Sequence, residues 1–283
     1  MWESLIYVYL SRRVLTQLTG NQPMNPEKSI KKRFQLEGKV ALVTGGSKGI
    51  GEAMARGFAE FGASVVVSSR KLEAVEAVAD KLRNDGYQAH AFAANAGNQQ
   101  DLEALVAETV SVFGGIDILV NNAAANPVYG PVGDTEERAF DKIIDVNLKG
   151  PFGLCKLVYP QMQERGGGSI INISSIGGIV PEQGIGIYSV SKAAIINLTQ
   201  AMAQDWGKDG VRVNAICPGL IKTRFSEALW GDDDTLERFL NRVPLGRLGS
   251  PEDIAGLGVF LASDASAYCT GSVYMADGGY TWT

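Results

Sequence analysis

The 283 residues include a single histidine, His90, so a catalytic centre that needs two or three imidazoles, such as a zinc site, cannot be assembled from this chain. Cysteine is nearly as scarce. Cys155, Cys217 and Cys269 stand far apart and match neither a disulfide framework nor a metal-ligand spacing, which points to a reducing compartment. Positive charge is in deficit, 26 Lys and Arg against 31 Asp and Glu, and the formal net charge of -5 gives no general attraction to nucleic acid or anionic lipid. Long apolar runs are missing too. The stretch from Leu5 to Leu10 is far too short to span a bilayer, and Glu3 before it with Arg12 and Arg13 after it reverse the charge order of a secretory signal. Neither an internal repeat nor a low-complexity segment is visible. The expectations are therefore no metal, no nucleic-acid partner and no membrane association.

Apolar residues make up 45% of the chain and charged residues 20%, enough for one sizeable core. The reading is one domain over 35–283, preceded by an extension, 1–34, expected to be partly disordered. Met24 opens the polar run Asn25 to Lys32 and is a candidate alternative start. From Lys39 onward, short β-branched runs alternate with segments of helical period. The strand candidates are Val40 to Thr44, Ser64 to Ser68, Ala89 to Ala93, Ile116 to Asn121, Ser169 to Ser174, Arg212 to Cys217 and Ser272 to Ala276. Between them, Ile50, Ala53, Met54, Gly57, Phe58 and Phe61 recur at helical spacing, as do Leu102, Leu105, Val106, Thr109 and Phe113. The pattern predicts an α/β fold: a single Rossmann-like, doubly wound parallel sheet of about seven strands with helices on both faces.

Directly after the first strand candidate comes Thr44-Gly45-Gly46-Ser47-Lys48-Gly49-Ile50-Gly51, leading into the first amphipathic helix. Glycines there let the backbone approach a pyrophosphate, and the helix start supplies free amide hydrogens and a positive dipole end. The spacing is G-x-x-x-G-x-G rather than G-x-G-x-x-G, so context carries the argument. Gly45, Ser47 and Gly49 also satisfy G-x-S-x-G, the elbow of a serine hydrolase with Ser47 as nucleophile. That alternative needs a histidine at the carboxyl edge of the sheet, and His90 sits within a strand candidate.

At the end of the second strand, where a carboxylate would bind the ribose hydroxyls of NAD, the chain reads Ser68-Ser69-Arg70-Lys71. Arg70 can grip a 2′-phosphate with a forked, charge-assisted contact and Lys48 can add a second cation, which favours NADP(H) over NAD(H).

Tyr188 and Lys192, four apart, share one face of a helix whose stripe continues through Ile195, Thr199 and Met202. A lysine on a stripe that buries itself is costly without a partner. A cation about 4 Å from the phenol at an effective dielectric near 20 is worth roughly 4 kcal/mol, enough to bring a phenol pKa near 10 down toward 7. Asn147 continues the apolar stripe of Phe140, Ile143 and Ile144, and Ser175 ends the strand through Ile170, Ile171 and Ile173. Each needs a buried hydrogen-bond partner. Plain structural roles exist for both, a core amide bound to helix backbone for Asn147 and a strand-end turn for Ser175.

Together these residues resemble the classical short-chain dehydrogenase/reductase family from about Gly38 to the C-terminus. Thr44 to Gly51 is similar to its cofactor turn, Asn121-Asn122-Ala123-Ala124 to its strand-four motif, and Pro218-Gly219 to its nicotinamide-side loop. The resemblance implies a catalytic set of Asn147, Ser175, Tyr188 and Lys192. Ser175 would hold the substrate oxygen, Tyr188 would donate or accept the proton, Lys192 would bind the nicotinamide ribose and depress the phenol pKa, and Asn147 would retain a water of the proton relay. It further implies that the cofactor meets Gly45, Ser47, Lys48, Gly49, Ile50 and Gly51, then Ser69, Arg70 and Asn95, then Asn122 and Ala123. Tyr188, Lys192, Pro218, Gly219, Ile221 and Thr223 complete that set.

Two departures stand out: Ala124 replaces a usual glycine, and Asn95 stands where an acid commonly meets the adenine. The stretches Val65 to Lys71, Asn122 to Pro127 and Pro218 to Phe225 look similar to NADP(H)-linked carbonyl reductases of the peroxisomal type. The ending Tyr280 to Thr283 carries no peroxisomal tripeptide, so cytoplasm is expected. The substrate would be a small carbonyl compound or alcohol, and family likeness implies a homotetramer. Phe225, Leu229 and Trp230, on an expected helix within Ile221 to Leu245, would form an apolar lid. A catalytically silent dinucleotide-binding scaffold is the other alternative.

Overall fold

The computed structural model describes residues 29–282. The stretch Leu5 to Leu10 and Met24 lie outside the described residues. Contacts divide the chain into two units, Met1–Arg33 and Phe34–Thr283. The described part of the first contains one short helical turn, Ile30–Arg33.

The second unit alternates strand and helix. In order it runs β1 (Val40–Thr44), α1 (Gly49–Glu60), β2 (Ser64–Ser69), α2 (Leu72–Asn84), β3 (Ala89–Ala93), α3 (Gln99–Phe113) and β4 (Ile118–Asn121). The second half follows with α4 (Glu137–Ile144), α5 (Gly150–Glu164), β5 (Gly168–Ile173), α6 (Gly186–Trp206), β6 (Val211–Pro218), α7 (Glu227–Trp230), α8 (Asp233–Leu240), α9 (Pro251–Ala262) and β7 (Val273–Ala276). The seven strands form one parallel sheet in the order β3-β2-β1-β4-β5-β6-β7. Parallel strands covered on both faces call for continuous apolar runs, and Val40, Ala41, Leu42 and Val43 are all buried. Met54 and Phe58 of α1, Val75 of α2 and Ile254 of α9 close one face. Leu102 and Leu105 of α3, Leu154 and Val158 of α5 and Met202 of α6 close the other.

Because the chain winds one way from β1 through β2 and the other way through β4, the helices diverge at the carboxyl ends of β1 and β4 and leave a crevice there. The doubly wound architecture is as the sequence predicts, with shifted strand ends. β4 starts at Ile118 rather than Ile116, because the Asp117 carboxylate caps the neighbouring strand: Oδ2 accepts from Val40 N at 2.9 Å and from Arg165 Nη2 at 2.9 Å. β7 starts at Val273 because Ser272 N donates to Asn214 Oδ1 at 3.1 Å. Among the described residues no helix is long and apolar enough to cross a membrane.

Candidate active site

The crevice is a cleft of about 520 Å³. The β1–α1 turn, Ser69 at the end of β2 with Arg70 after it, Asn95 after β3, Asn122 to Pro127 after β4 and Ser175 after β5 line it. Tyr188 and Lys192 of α6 and the segment from Pro218, the last residue of β6, onward complete the wall. Nearly all the residues expected at a cofactor or catalytic site thus share one wall. Two do not. Gly51 sits behind the turn, where a Cβ would meet Gly45 O at 2.4 Å and Asn122 Nδ2 at 2.5 Å, so its smallness serves turn-to-helix packing rather than a ligand. Asn147 is 1% exposed and lies behind the loop that follows β4.

At one end the turn is built around two left-handed glycines, Gly45 at φ 64° and Gly49 at φ 61°. Thr44, the first residue of the turn motif, to which the sequence assigned no role of its own, fastens it. Its hydroxyl donates to Val120 O at 3.1 Å and accepts from Asn122 N at 3.1 Å and Ala123 N at 3.2 Å, tying β1 to β4 at the crevice. Asn122 Nδ2 donates to Thr44 O and Gly45 O, both at 3.1 Å. The helix cap residue of α1, Lys48, makes no side-chain capping bond, so the leading amide hydrogens of α1 stay available beside the cleft. Lys48 and Arg70 are exposed at this end and make no ion pair among the described residues. Asn95 is partly committed already: its N–H donates to Asp101 Oδ2 at 2.8 Å and its Oδ1 accepts from Gly97 N at 3.2 Å. One buried oxygen in the cleft wall, Asn126 Oδ1, has no partner among the described residues. A glycine cradle, an uncapped helix start and two cations fit the phosphates of a cofactor, and the orphaned acceptor suits a hydroxyl or amide donor of the same group. Among the described residues no cluster of His, Cys, Asp and Glu is placed to hold a metal.

At the other end α6 presents Tyr188 and Lys192, both buried. Lys192 Nζ donates to Ile173 O at 2.7 Å and lies 5.5 Å from the centre of the Tyr188 ring. Ser174 Oγ, another residue the sequence did not flag, donates to Lys192 O at 2.7 Å and fixes the helix against β5. Gly177 N donates to Ser175 Oγ at 3.1 Å, which orients that hydroxyl at the start of a short turn.

The electrostatics correct one expectation. Burial raises the Tyr188 phenol above its ordinary value, the Glu182 carboxylate adds to the rise, and the Ser175 hydroxyl only partly offsets it. The ammonium expected to lower the phenol is turned toward Ile173 O, and burial lowers Lys192 itself to about 8.

Asn147 occupies a π-turn, Asp145–Lys149, that interrupts the helix between α4 and α5. This widening breaks the apolar stripe expected from Phe140, which is exposed. It turns the amide inward: Oδ1 accepts from Ala125 N at 2.7 Å, and Nδ2 donates to Ala125 O and to Ser191 Oγ, both at 3.0 Å. Ser191 Oγ in turn donates to Tyr188 O at 2.7 Å. The amide therefore serves the β4 loop and α6 rather than helix backbone.

Of the expected lid residues, Phe225 lines the cleft with its ring centre 6.1 Å from that of Tyr188. Trp230 folds back on its own segment instead, donating from Nε1 to Thr223 O at 2.9 Å beneath Lys222. His90, needed by the hydrolase alternative, is on β3 with Nε2 3.0 Å from Glu108 Oε1 and does not line the cleft.

Residues 45–281 match the family profile described as Enoyl-(Acyl carrier protein) reductase. Dehydrogenase/reductase SDR family member 4 of Sus scrofa is 44% identical over 250 residues, covering 88% of this chain and 90% of the pig protein. This chain belongs to the short-chain dehydrogenase/reductase family. The Homo sapiens member 4 is likewise 44% identical over 248 residues, covering 88% of this chain and 89% of the human protein. Among solved short-chain dehydrogenases, the gluconate 5-dehydrogenase of Burkholderia cenocepacia J2315 in complex with NADP and tartrate superposes with a TM-score of 0.85 at 35% identity, over 89% of this chain and 98% of that one. A 7α-hydroxysteroid dehydrogenase complexed with NADH and 7-oxo glycochenodeoxycholic acid gives 0.84 at 36%, over 87% and 96%. The family's oxidoreductases bind a nicotinamide dinucleotide, and these two relatives hold its phosphorylated and unphosphorylated forms respectively.

Proposed function

We propose that this chain is an NADP(H)-dependent oxidoreductase that interconverts a carbonyl and a secondary alcohol, with Tyr188 as general acid in reduction and general base in oxidation. The observation that carries this reading is one cleft with Ser175, Tyr188 and Lys192 at one end and the glycine cradle, Lys48 and Arg70 at the other. Bound NADP(H) would supply or accept the hydride. Gly45, Ser47, Gly49 and Ile50 would hold the pyrophosphate, Lys48, Ser69 and Arg70 the 2′-phosphate side, and Asn95, Asn122 and Ala123 the adenosine half. Pro218, Gly219, Ile221 and Thr223 would hold the nicotinamide half. Ser175 would fix the carbonyl oxygen. Tyr188, its phenol raised by burial, keeps its proton at neutral pH and can pass it to the oxygen as negative charge develops there, since an alkoxide is far more basic than a phenolate. Lys192 would hold the nicotinamide ribose and return a proton to Tyr188, with Asn147 behind it.

NADPH and NADH oxidation at equal concentration, against aliphatic, aromatic and sugar-derived ketones, tests the reading. Turnover with NADPH preferred is expected; preference for NADH would remove the argument from Arg70.

NADPH affinity should fall as pH rises through about 8. Burial holds the Lys192 pKa at about 8 in the free protein. Below that pH the ammonium is already present; above it, binding must take up a proton, so Kd should rise by up to about tenfold per pH unit. Fluorescence titration across this range should show the rise, and Lys192→Met should flatten it.

The reading includes a cytoplasmic homo-oligomer, a tetramer by family likeness. Support for a reducing compartment comes from Cys155, Cys217 and Cys269, all free thiols.

A further inference from the structure

The loop between Ser175 and Tyr188 carries one charged residue, Glu182. Its backbone is pinned: Glu182 N donates to Ser189 Oγ at 3.3 Å and Gly130 N donates to Gly184 O at 2.8 Å. A Cβ placed on Gly177 would lie 3.4 Å from Ser175 Oγ and 3.6 Å from Glu182 Oε2, so the carboxylate stands within about 7 Å of the Ser175 hydroxyl. It is half-buried and accepts no hydrogen bond among the described residues. Arg242 is the cation that draws it, and that guanidinium also donates to Tyr280 OH at 2.8 Å and stacks 4.3 Å over the Tyr280 ring. Lys142 and Arg224 line the cleft; Glu182 stands just outside that lining, and its charge, more than that of Cys217, bears on the Tyr188 phenol. With no protein donor fixed on it and its oxygens reaching solvent, this carboxylate is open to a donor or a cation that a substrate carries.

We infer that Glu182 is a specificity-determining residue that favours neutral or cationic ketones bearing a hydroxyl or amino donor near the reacting carbon, and disfavours oxo acids. The inference rests on the reaction proposed above. In that reaction the substrate oxygen meets Ser175 and Tyr188, so the flanking substituents lie within reach of this carboxylate's field.

The test compares three ketones of like size, one neutral, one with a quaternary ammonium and one with a carboxylate. The ratio of kcat/KM for the ammonium to the carboxylate ketone is measured at pH 8 in the wild type, Glu182→Gln and Glu182→Ala. A ratio taken within each variant cancels any change common to all substrates, including a shift of the Tyr188 phenol. The wild type should favour the ammonium ketone, and either variant should narrow the ratio by roughly tenfold. That is the size expected for charges about 7 Å apart at an effective dielectric near 20, discounted for partial exposure. Wild-type turnover of the neutral ketone with a ratio unmoved in both variants would overturn the inference while leaving the proposed reaction standing. A wild type inert toward all three ketones would overturn that reaction and the inference with it.

Discussion

Replacing Tyr188 by Phe should lower kcat for ketone reduction by about 10³-fold while changing NADPH Kd less than about threefold, the pattern of a lost general acid with intact ground-state binding. The ring of Tyr188 is held by its place on α6 and by contact with Phe225, so removing only the hydroxyl leaves the packing in place. Main-chain anchoring also survives, since Ser191 Oγ bonds the Tyr188 carbonyl and not its side chain. Steady-state kinetics and cofactor fluorescence titration on the same preparation check both halves. A kcat within tenfold of the wild type would remove Tyr188 from the proton step. Ester cleavage that survives Tyr188→Phe but is lost in Ser47→Ala would instead support the hydrolase alternative.

Changing Arg70 to Asp should lower kcat/KM for NADPH by about 10²-fold and shift preference toward NADH, because it exchanges a charge-assisted phosphate contact for a repulsion. Ser69 ends β2 and Arg70 follows it at the cleft, and the described structure gives Arg70 no competing ion pair. Lys48 stands beside the same end of the cleft, so a double change of Lys48 and Arg70 should exceed either single one. Parallel kcat/KM values for the two cofactors decide the matter, and an unchanged ratio in Arg70→Asp would place the 2′-phosphate elsewhere or exclude it.

The fold was legible because parallel strands buried on both faces must be apolar throughout. Val40 to Thr44 and Ala89 to Ala93 are bounded by turn residues that leave little latitude, and their observed limits match the reading. β4 was read two residues long because Ile116 is apolar and buried, while the side chain that stops the ladder there, Asp117, acts through Val40 and Arg165, remote in sequence. Within the site, spacing sufficed to place Tyr188 and Lys192 on one helix face. It could not show that Lys192 Nζ is captured by Ile173 O, so the sequence overestimated the ammonium and missed the burial that raises the phenol. The π-turn around Asn147 has no period of its own and was read as continued helix. Gly51 looked equivalent to Gly45 and Gly49, yet those two line the cleft and Gly51 does not. Glu182 left no signal at all: an isolated acid in a loop ordinarily faces water.

The most direct test of the central claim is transfer from NADPH deuterated at the nicotinamide C4 to the panel of aliphatic, aromatic and sugar-derived ketones, with any alcohol product analysed by mass spectrometry and NMR. One deuterium per molecule at the new carbinol carbon, delivered from one face of the nicotinamide and abolished by Tyr188→Phe, is the result this account predicts. Cofactor binding without transfer to any ketone would contradict it and leave a silent dinucleotide-binding scaffold as the better description.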